Sequence, residues 1–357
     1  MLPILPIDEC LPDLLAALRT SGRAVLQAPP GAGKTTRVPL ALLDGVPGRI
    51  VMLEPRRLAA RAAAERMADT LGEPVGARVG YRIRGEAKVS KATRIEVVTE
   101  GILTRMLQSD PELSGISVVI FDEFHERSLN ADLGLALVWE ARAALRPDLW
   151  VLVMSATLDA APVARLLDEA PLISSEGRAF PVETRWLPRP MPAGARLETE
   201  TAALVRQAVA ETDGGVLVFL PGEGEIRRVA AQLSHLENCV VQPLYGAMDF
   251  QAQRAALAPV EGARKVVLAT SIAETSLTIP DIRVVVDAGR ARRARFDPGS
   301  GMTRLVTERA SRAEATQRQG RAGRVAPGLC YRLWAKAEEG ALPAFAPAEI
   351  ETADLAG

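Results

Sequence analysis

The sequence predicts an α/β protein of two tandem units, each built on a mainly parallel sheet, and three observations carry that expectation. The chain has 357 residues, more than one hydrophobic core usually serves, so two cores are expected. Short β-branched runs alternate with Ala, Leu and Arg rich stretches of helical pattern, the rhythm of parallel strands buried between helices. That rhythm stops once, between residues 177 and 196, and then resumes.

In the first unit the strand candidates are AVLQA, RIVMLEP, RIEVVTE, SVVIFDE, WVLVMSA and PLISSEG. Ahead of them, MLPILPIDECLPDLLAALRT reads as the first helix of the mature fold, because it lacks a basic start and holds Asp8, Glu9 and Asp13 within its apolar part. In the break, Pro181, Pro188, Pro190 and Pro192 remove backbone donors and suit an extended connection. The boundary is therefore placed there, giving a first unit of residues 1–178 and a second of 179–340.

The second unit offers GGVLVFLP, NCVVQPLYG, RKVVLAT and IRVVVDAG, with helical patterns such as GEIRRVAAQLSHL between them. After Asp287, two partly alternating arms around DPGSG predict a β-hairpin projecting from this unit. Residues 341–357 read as the entry to a further, truncated helical module. Two sheets of like design suggest duplication at the scale of a domain.

Composition narrows the class. Hydrophobic residues make up 48% of the chain and charged ones 24%, without the run of about 18 apolar residues that a membrane span needs, so a globular protein without membrane contact is expected. Cys10, Cys239 and Cys330 are odd in number, far apart and free of CxxC spacing, which indicates neither a disulfide framework nor a zinc site and fits the cytoplasm. The net charge of −1 conceals an imbalance, because residues 281–324 hold eleven arginines against five acids. That stretch could meet phosphates, or it could be a solvated basic face.

Two segments carry chemistry. The strand AVLQA runs into APPGAGKTT and then a helix, close to the phosphate-binding loop GxxxxGK[ST] with Ala28 in place of the first glycine. Gly31, Ala32 and Gly33 would turn backbone N–H groups toward phosphate oxygens. Lys34 would reach the β and γ phosphates, and Thr35, followed by Thr36, would present a hydroxyl to Mg²⁺. In SVVIFDEFHERS an apolar strand delivers Asp122 and Glu123 at its C-terminal end, where ligands sit in open α/β sheets. Asp122 would serve the metal and Glu123 the metal and the attacking water. Acids at a strand end can also be just the polar start of a loop, and His125 just an exposed loop histidine; paired with Lys34, the acids point to an NTPase.

A third segment, TERASRAEATQRQGRAGR, reads as a helix from about Ser311 that ends at the glycines, with Arg318, Arg321 and Arg324 on one face. Gly320 and Gly323 weaken a helix by about 1 kcal/mol each, which a solvating face would not need, so close approach to something is expected.

APPGAGKTT, EPRRLAAR, TEG, DEFH, SAT, TSIAETSLTIP and QRQGRAGR, in this order, resemble the motifs of superfamily 2 DExH-box helicases, nearest the DEAH/RHA group. SEGRAFPVE and RFDPGSGMTRLVT resemble a bacterial branch of it. The resemblance spans residues from about 22 to 340. It implies two RecA-like domains that bind ATP, or another NTP, with Mg²⁺ in the cleft between them and grip single-stranded RNA, moving 3′ to 5′ as a monomer. It further implies Arg66 stacked on the base, and Arg56, Arg57, Arg84 in GYRIRGE, Thr99, Thr270 and the loop GEGEI as RNA contacts. His125, Ser155 and Thr157 would couple hydrolysis to strand separation. Arg321 and Arg324 would be arginine fingers and Gln317 would help Glu123 orient the water, with Arg318 structural. The hairpin 290–311 would be the wedge.

This sequence departs from that pattern where Ala255 and Ala256 replace a frequent aromatic, where Pro280 stands in line with Asp281 next to it in place of an acid after LTI, and where Phe124 replaces Ala of DEAH. Other readings of the same motor are an ATP-switched RNA clamp without processive unwinding and a DNA translocase.

Overall fold

The computed structural model describes residues 4–156, 160–177, 180–274, 279–297 and 299–353. It divides into two compact units, the first ending at residue 178 and also taking in Ala348–Glu351, the second beginning at residue 179.

In the first unit the strands in chain order are β1 (Arg23–Gln27), β2 (Arg49–Leu53), β3 (Val79–Ile83), β4 (Glu86–Lys88), β5 (Ile95–Val98), β6 (Ile116–Phe121), β7 (Trp150–Ser155) and β8 (Leu172–Ser174). They form one sheet of order β4-β3-β5-β2-β6-β7-β1-β8. Only the β3–β4 pair is antiparallel. The helices are α1 (Leu11–Ser21), α2 (Lys34–Leu42), α3 (Arg57–Leu71), α4 (Glu100–Ser109), α5 (Leu129–Ala144) and α6 (Ala161–Leu166). Strand residues alternate between two cores. Ala24, Leu26, Ile120, Leu152 and Met154 pack with residues of α1, α2 and α3, whereas Val25, Val119, Phe121, Val151 and Val153 pack with α4 and α5. The period of two along a strand sends neighbours to opposite faces, so a sheet covered on both sides needs uninterrupted apolar runs.

The second unit contains β9 (Val182–Leu187), β10 (Gly215–Phe219), β11 (Cys239–Leu244), β12 (Arg264–Ala269), β13 (Ile282–Asp287), the hairpin β14 (Arg290–Asp297) and β15 (Met302–Arg309), and β16 (Gly328–Ala335). Its helices are α7 (Leu197–Glu211), α8 (Glu223–Gln232), α9 (Phe250–Leu257) and α10 (Arg312–Gly320). The main sheet has the order β11-β12-β10-β13-β16-β9, and its pairs are all parallel. The hairpin is a separate antiparallel ribbon. Its outer arm stays exposed, with Leu305 72% accessible.

Several sequence expectations are corrected. The break after residue 177 is not simply a connection: Val182–Leu187 within it pairs with β16 at the edge of the second sheet, and its prolines lie outside that strand, where missing donors cost nothing. GYRIRGE is a strand and half of a hairpin rather than a loop, with only Arg84 and Gly85 in the turn. GEGEI is the N-cap and first turn of α8. Among the described residues no helix is long and apolar enough to cross a membrane.

Candidate active site

The parallel sheet of the first unit brings its loops out at one edge. β1 leads into the phosphate-loop segment, β5 into Thr99, β6 into Asp122 and β7 into its last residue, Ser155, and such an edge is where α/β sheets hold ligands. Gly33, at φ +97°, starts α2 in a conformation that L side chains avoid, and a Cβ there would stand 2.6 Å from the Leu5 side chain. The loop therefore keeps bare backbone next to Lys34.

Lys34 is only 3% exposed. Its ammonium donates to Glu123 Oε1 at 2.8 Å and lies 3.9 Å from Asp122 Oδ1. Thr35 Oγ1 donates to Asp122 Oδ2 at 2.5 Å, and the Glu123 N–H donates to Asp122 Oδ1 at 2.8 Å. Burial works to strip the Lys34 proton, but the Glu123 and Asp122 carboxylates outweigh it and raise the pKa. Burial pushes the Asp122 carboxyl up to about 6. Burial also opposes ionisation of Glu123, yet the Lys34 ammonium in direct contact holds that carboxyl down. Glu123 is thus the ionised partner of Lys34. It sits at φ +51°, a left-handed conformation that is uncommon for a side chain of this size and turns the chain sharply at the strand end.

His125 Nδ1 accepts the Ala156 N–H at 3.3 Å, so the neutral ring carries its proton on Nε2. Burial lowers its pKa and keeps it neutral. The same Nδ1 lies 3.5 Å from Glu123 Oε2, but an acceptor nitrogen makes no ion pair there. The ring therefore ties the Asp122–Glu123 loop to the end of β7. Ser155 is buried there; Thr157 lies outside the described residues.

Gly31, Ala32 and Thr36 share this loop and first turn with Lys34 and Thr35. Arg66 is exposed on α3 and Arg57 exposed at its start, while Arg84 is exposed in the β3–β4 turn. Arg56 is paired with Glu126 at 3.1 Å. Thr99 stands at the N-cap position of α4 without a side-chain capping hydrogen bond, and in the second unit Thr270 follows β12.

In the second unit α10 begins at the capping box of Ser311 and Glu314. It ends at Gly320, so Arg321 is its C-cap and Arg324 lies in the bend beyond. The expectation of one helix face bearing all three arginines is therefore corrected. Arg318 is buried, with Nη2 2.6 Å from Glu274 Oε1, Nη1 2.8 Å from Asp287 Oδ1 and its guanidinium over the Phe219 ring. Burial would lower its pKa, but the Asp287 and Glu274 carboxylates raise it. Arg321 is also buried and donates from Nε to the Glu274 carbonyl at 3.0 Å. Gln317 stays partly exposed on α10.

The glycine argument is corrected too. A Cβ on Gly323 would stand 2.5 Å from the Phe180 carbonyl, whereas one on Gly320 would meet nothing within 4 Å. The close approach is to backbone of the same unit, where the Phe180 N–H donates to Gly323 O. Nor is the arginine-rich stretch a free cationic face. Arg292 pairs with Glu225, Arg295 with Glu308, Arg309 with Glu338 and Arg293 with Glu308 and Glu314, so acids from outside the segment answer much of the excess.

Glu274 and Asp287 were not singled out from the sequence. Asp287 ends the apolar run IRVVVD as Asp122 follows ISVVIF, and that shared pattern is the available signal.

Residues 8–166 match the family model for the DEAD/DEAH box helicase, and residues 200–326 that for the helicase conserved C-terminal domain. The chain is 52% identical to the ATP-dependent RNA helicase HrpB of Escherichia coli, over 99% of this chain and 44% of that protein. It is 37% identical to the ATP-dependent RNA helicase HrpA of the same organism, over 99% of this chain and 28% of that protein. Among solved structures, the E. coli DEAH/RHA helicase HrpB superposes with a TM-score of 0.93 at 51% identity, over 99% of this chain and 45% of that one. The chain thus spans less than half the length of these relatives.

Proposed function

We propose that this chain, which belongs to the DEAD/DEAH box helicase family, is the motor part of an RNA helicase that hydrolyses ATP, or another NTP, to move on single-stranded RNA from 3′ to 5′. The observation that supports this best is the buried set of Lys34, Thr35, Asp122 and Glu123, where the ammonium meets Glu123 at 2.8 Å and the hydroxyl meets Asp122 at 2.5 Å. Lys34 stays charged and is offered to the β and γ phosphates beside bare loop backbone. Glu123, kept ionised, accepts the proton of an attacking water. Arg321 and Arg324, with Gln317, supply charge and orientation at the γ-phosphate as it transfers.

Thr35 Oγ1 and Asp122 fit Mg²⁺. Among the described residues no group of three or more His, Cys, Asp or Glu could hold a metal ion, and Mg²⁺ in phosphate sites takes one or two protein oxygens and completes its shell with phosphate and water. When bound it would neutralise charge on the β and γ oxygens. Arg66, on α3, faces the base in this reading, and Arg56, Arg57, Arg84, Thr99 and Thr270 hold the strand. In this reading the protein works as a monomer in a bacterial cytoplasm, a reducing compartment with which the free thiols Cys10, Cys239 and Cys330 agree.

The test is ATP hydrolysis by this chain with poly-purine RNA, poly-pyrimidine RNA and single-stranded DNA. RNA is expected to raise the rate well above DNA. Equal stimulation by DNA would replace the reading with a DNA translocase, and RNA-stimulated hydrolysis without strand separation, even with the remaining length of the relatives supplied, would replace it with a clamp.

A further inference from the structure

The loop that carries Asp122 and Glu123 ends at Ser128, and two side chains after the catalytic acids tie it to other elements. Glu126 pairs with Arg56 at 3.1 Å. Ser128 Oγ accepts the Ala131 N–H at 3.1 Å as the cap of α5 and donates to Glu100 Oε1 at 2.5 Å. Glu100 is the first residue of α4, directly after Thr99. The two ties thus run to two of the three segments read above as holding the nucleic-acid strand in this unit, those of Arg56 and Thr99.

A carboxylate at a helix start is favourable wherever it points, and it is cheapest in water. Glu100 instead turns inward. Burial, helped by the nearby Glu126 and Glu349 carboxylates and opposed by the Ser128 hydroxyl and Arg56, raises its pKa to about 7. Capping α4 does not require this, and neither does capping α5, since Ser128 caps α5 with its acceptor lone pair alone. The bond between them spans two helices and is short, so neither helix start can shift without drawing on the other.

We propose that Glu100 is a positioning residue that, through Ser128, transmits the seating of a strand at Thr99 to the loop bearing Asp122 and Glu123. This rests on the RNA-helicase reading above. A strand that loads the N-terminus of α4 displaces the carboxyl oxygen that holds Ser128, and the loop follows, adjusting Glu123 against the attacking water.

The experiment compares ATP hydrolysis with and without saturating poly(A) RNA in the chain as it stands and in Glu100→Ala, Glu100→Gln, Ser128→Ala and the Glu100→Ala/Ser128→Ala pair. RNA affinity is measured by anisotropy and folding by thermal melting. The ratio of stimulated to unstimulated rate should fall about tenfold in each alanine variant and no further in the pair, because coupled residues are not additive. RNA affinity should change by less than about threefold, since a positioning residue holds no substrate. Glu100→Gln, which keeps an acceptor oxygen for Ser128, should retain most of the ratio. An unchanged ratio in folded Glu100→Ala, or losses that multiply in the pair, overturns the link. No stimulation of the parent chain by any nucleic acid would instead overturn the helicase reading, and the link with it.

Discussion

The two units each bury one cation against two carboxylates, and they use the same local construction to opposite ends. In the first, Lys34 faces Glu123 at 2.8 Å and Asp122 at 3.9 Å. In the second, Arg318 faces Glu274 at 2.6 Å and Asp287 at 2.8 Å. Asp122 and Asp287 both stand at the C-terminal end of an apolar parallel strand. The difference is saturation. Arg318 spends its planar fork on both acids, donates as well to the Arg290 carbonyl and rests on the Phe219 ring, so little is left for a ligand. Lys34 has one close contact, a second at the limit of an ion pair, and glycine-bearing backbone beside it. A buried cation is therefore a working group only where its partners leave donors to spare, and a structural one where they use them all.

The largest effect that tests this contrast is at Lys34. Lys34→Ala removes the one buried ammonium of the loop, and turnover should fall by at least about 10³, the scale on which preorganised charge acts, while circular dichroism shows both sheets intact. Turnover near that of the parent chain would remove the nucleotide site from this loop.

Next come the arginines. Arg321→Ala and Arg324→Ala should each keep nucleotide affinity within about tenfold and lose about 10³ to 10⁵ in hydrolysis, as loss of an arginine finger does. Arg318→Ala should behave differently, stranding two buried carboxylates and costing about 3–5 kcal/mol of stability, read as a lower melting temperature of the second unit. The contrast fails if Arg318→Ala loses hydrolysis with its melting temperature unchanged.

Local patterns were legible in the sequence and distant neighbours were not. The phosphate loop and the strand-end pair Asp122–Glu123 announce themselves because strand, loop and helix are contiguous, and the hairpin because its arms flank DPGSG. GLCYRLWA does not announce β16, because Arg332 within it is charged, and only the fold shows it paired with Glu339 between the rings of Trp186 and Trp334. Trp186 belongs to the proline-rich stretch that hid β9. Gly323 does mark a close approach, but nothing in QRQGRAGR shows that the neighbour is the Phe180 carbonyl. Likewise the eleven arginines of residues 281–324 gave no sign that Glu225, Glu274 and Glu338 would come from elsewhere to meet them.

The smallest expected effect sharpens the same contrast with a partly buried carboxyl in place of a cation. Glu100 has one hydroxyl donor, from Ser128, and burial, with Glu126 and Glu349 adding to it, raises its pKa from the ordinary 4.5 to about 7. A carboxyl whose folded pKa is raised binds its proton more tightly in the folded state, so its contribution is most favourable below pH 4.5 and is lost as the pH rises toward 7. Glu100→Gln has no proton to lose. Its stability relative to the parent chain should therefore rise across that window, by about 1–3 kcal/mol in all, and level off above it. Denaturant unfolding of both proteins at pH 5, 6, 7 and 8 reads the difference directly. A difference that stays flat would mean that Glu100 is ionised throughout this window, and a poorly served, partly buried acid would then not distinguish the first unit from the second.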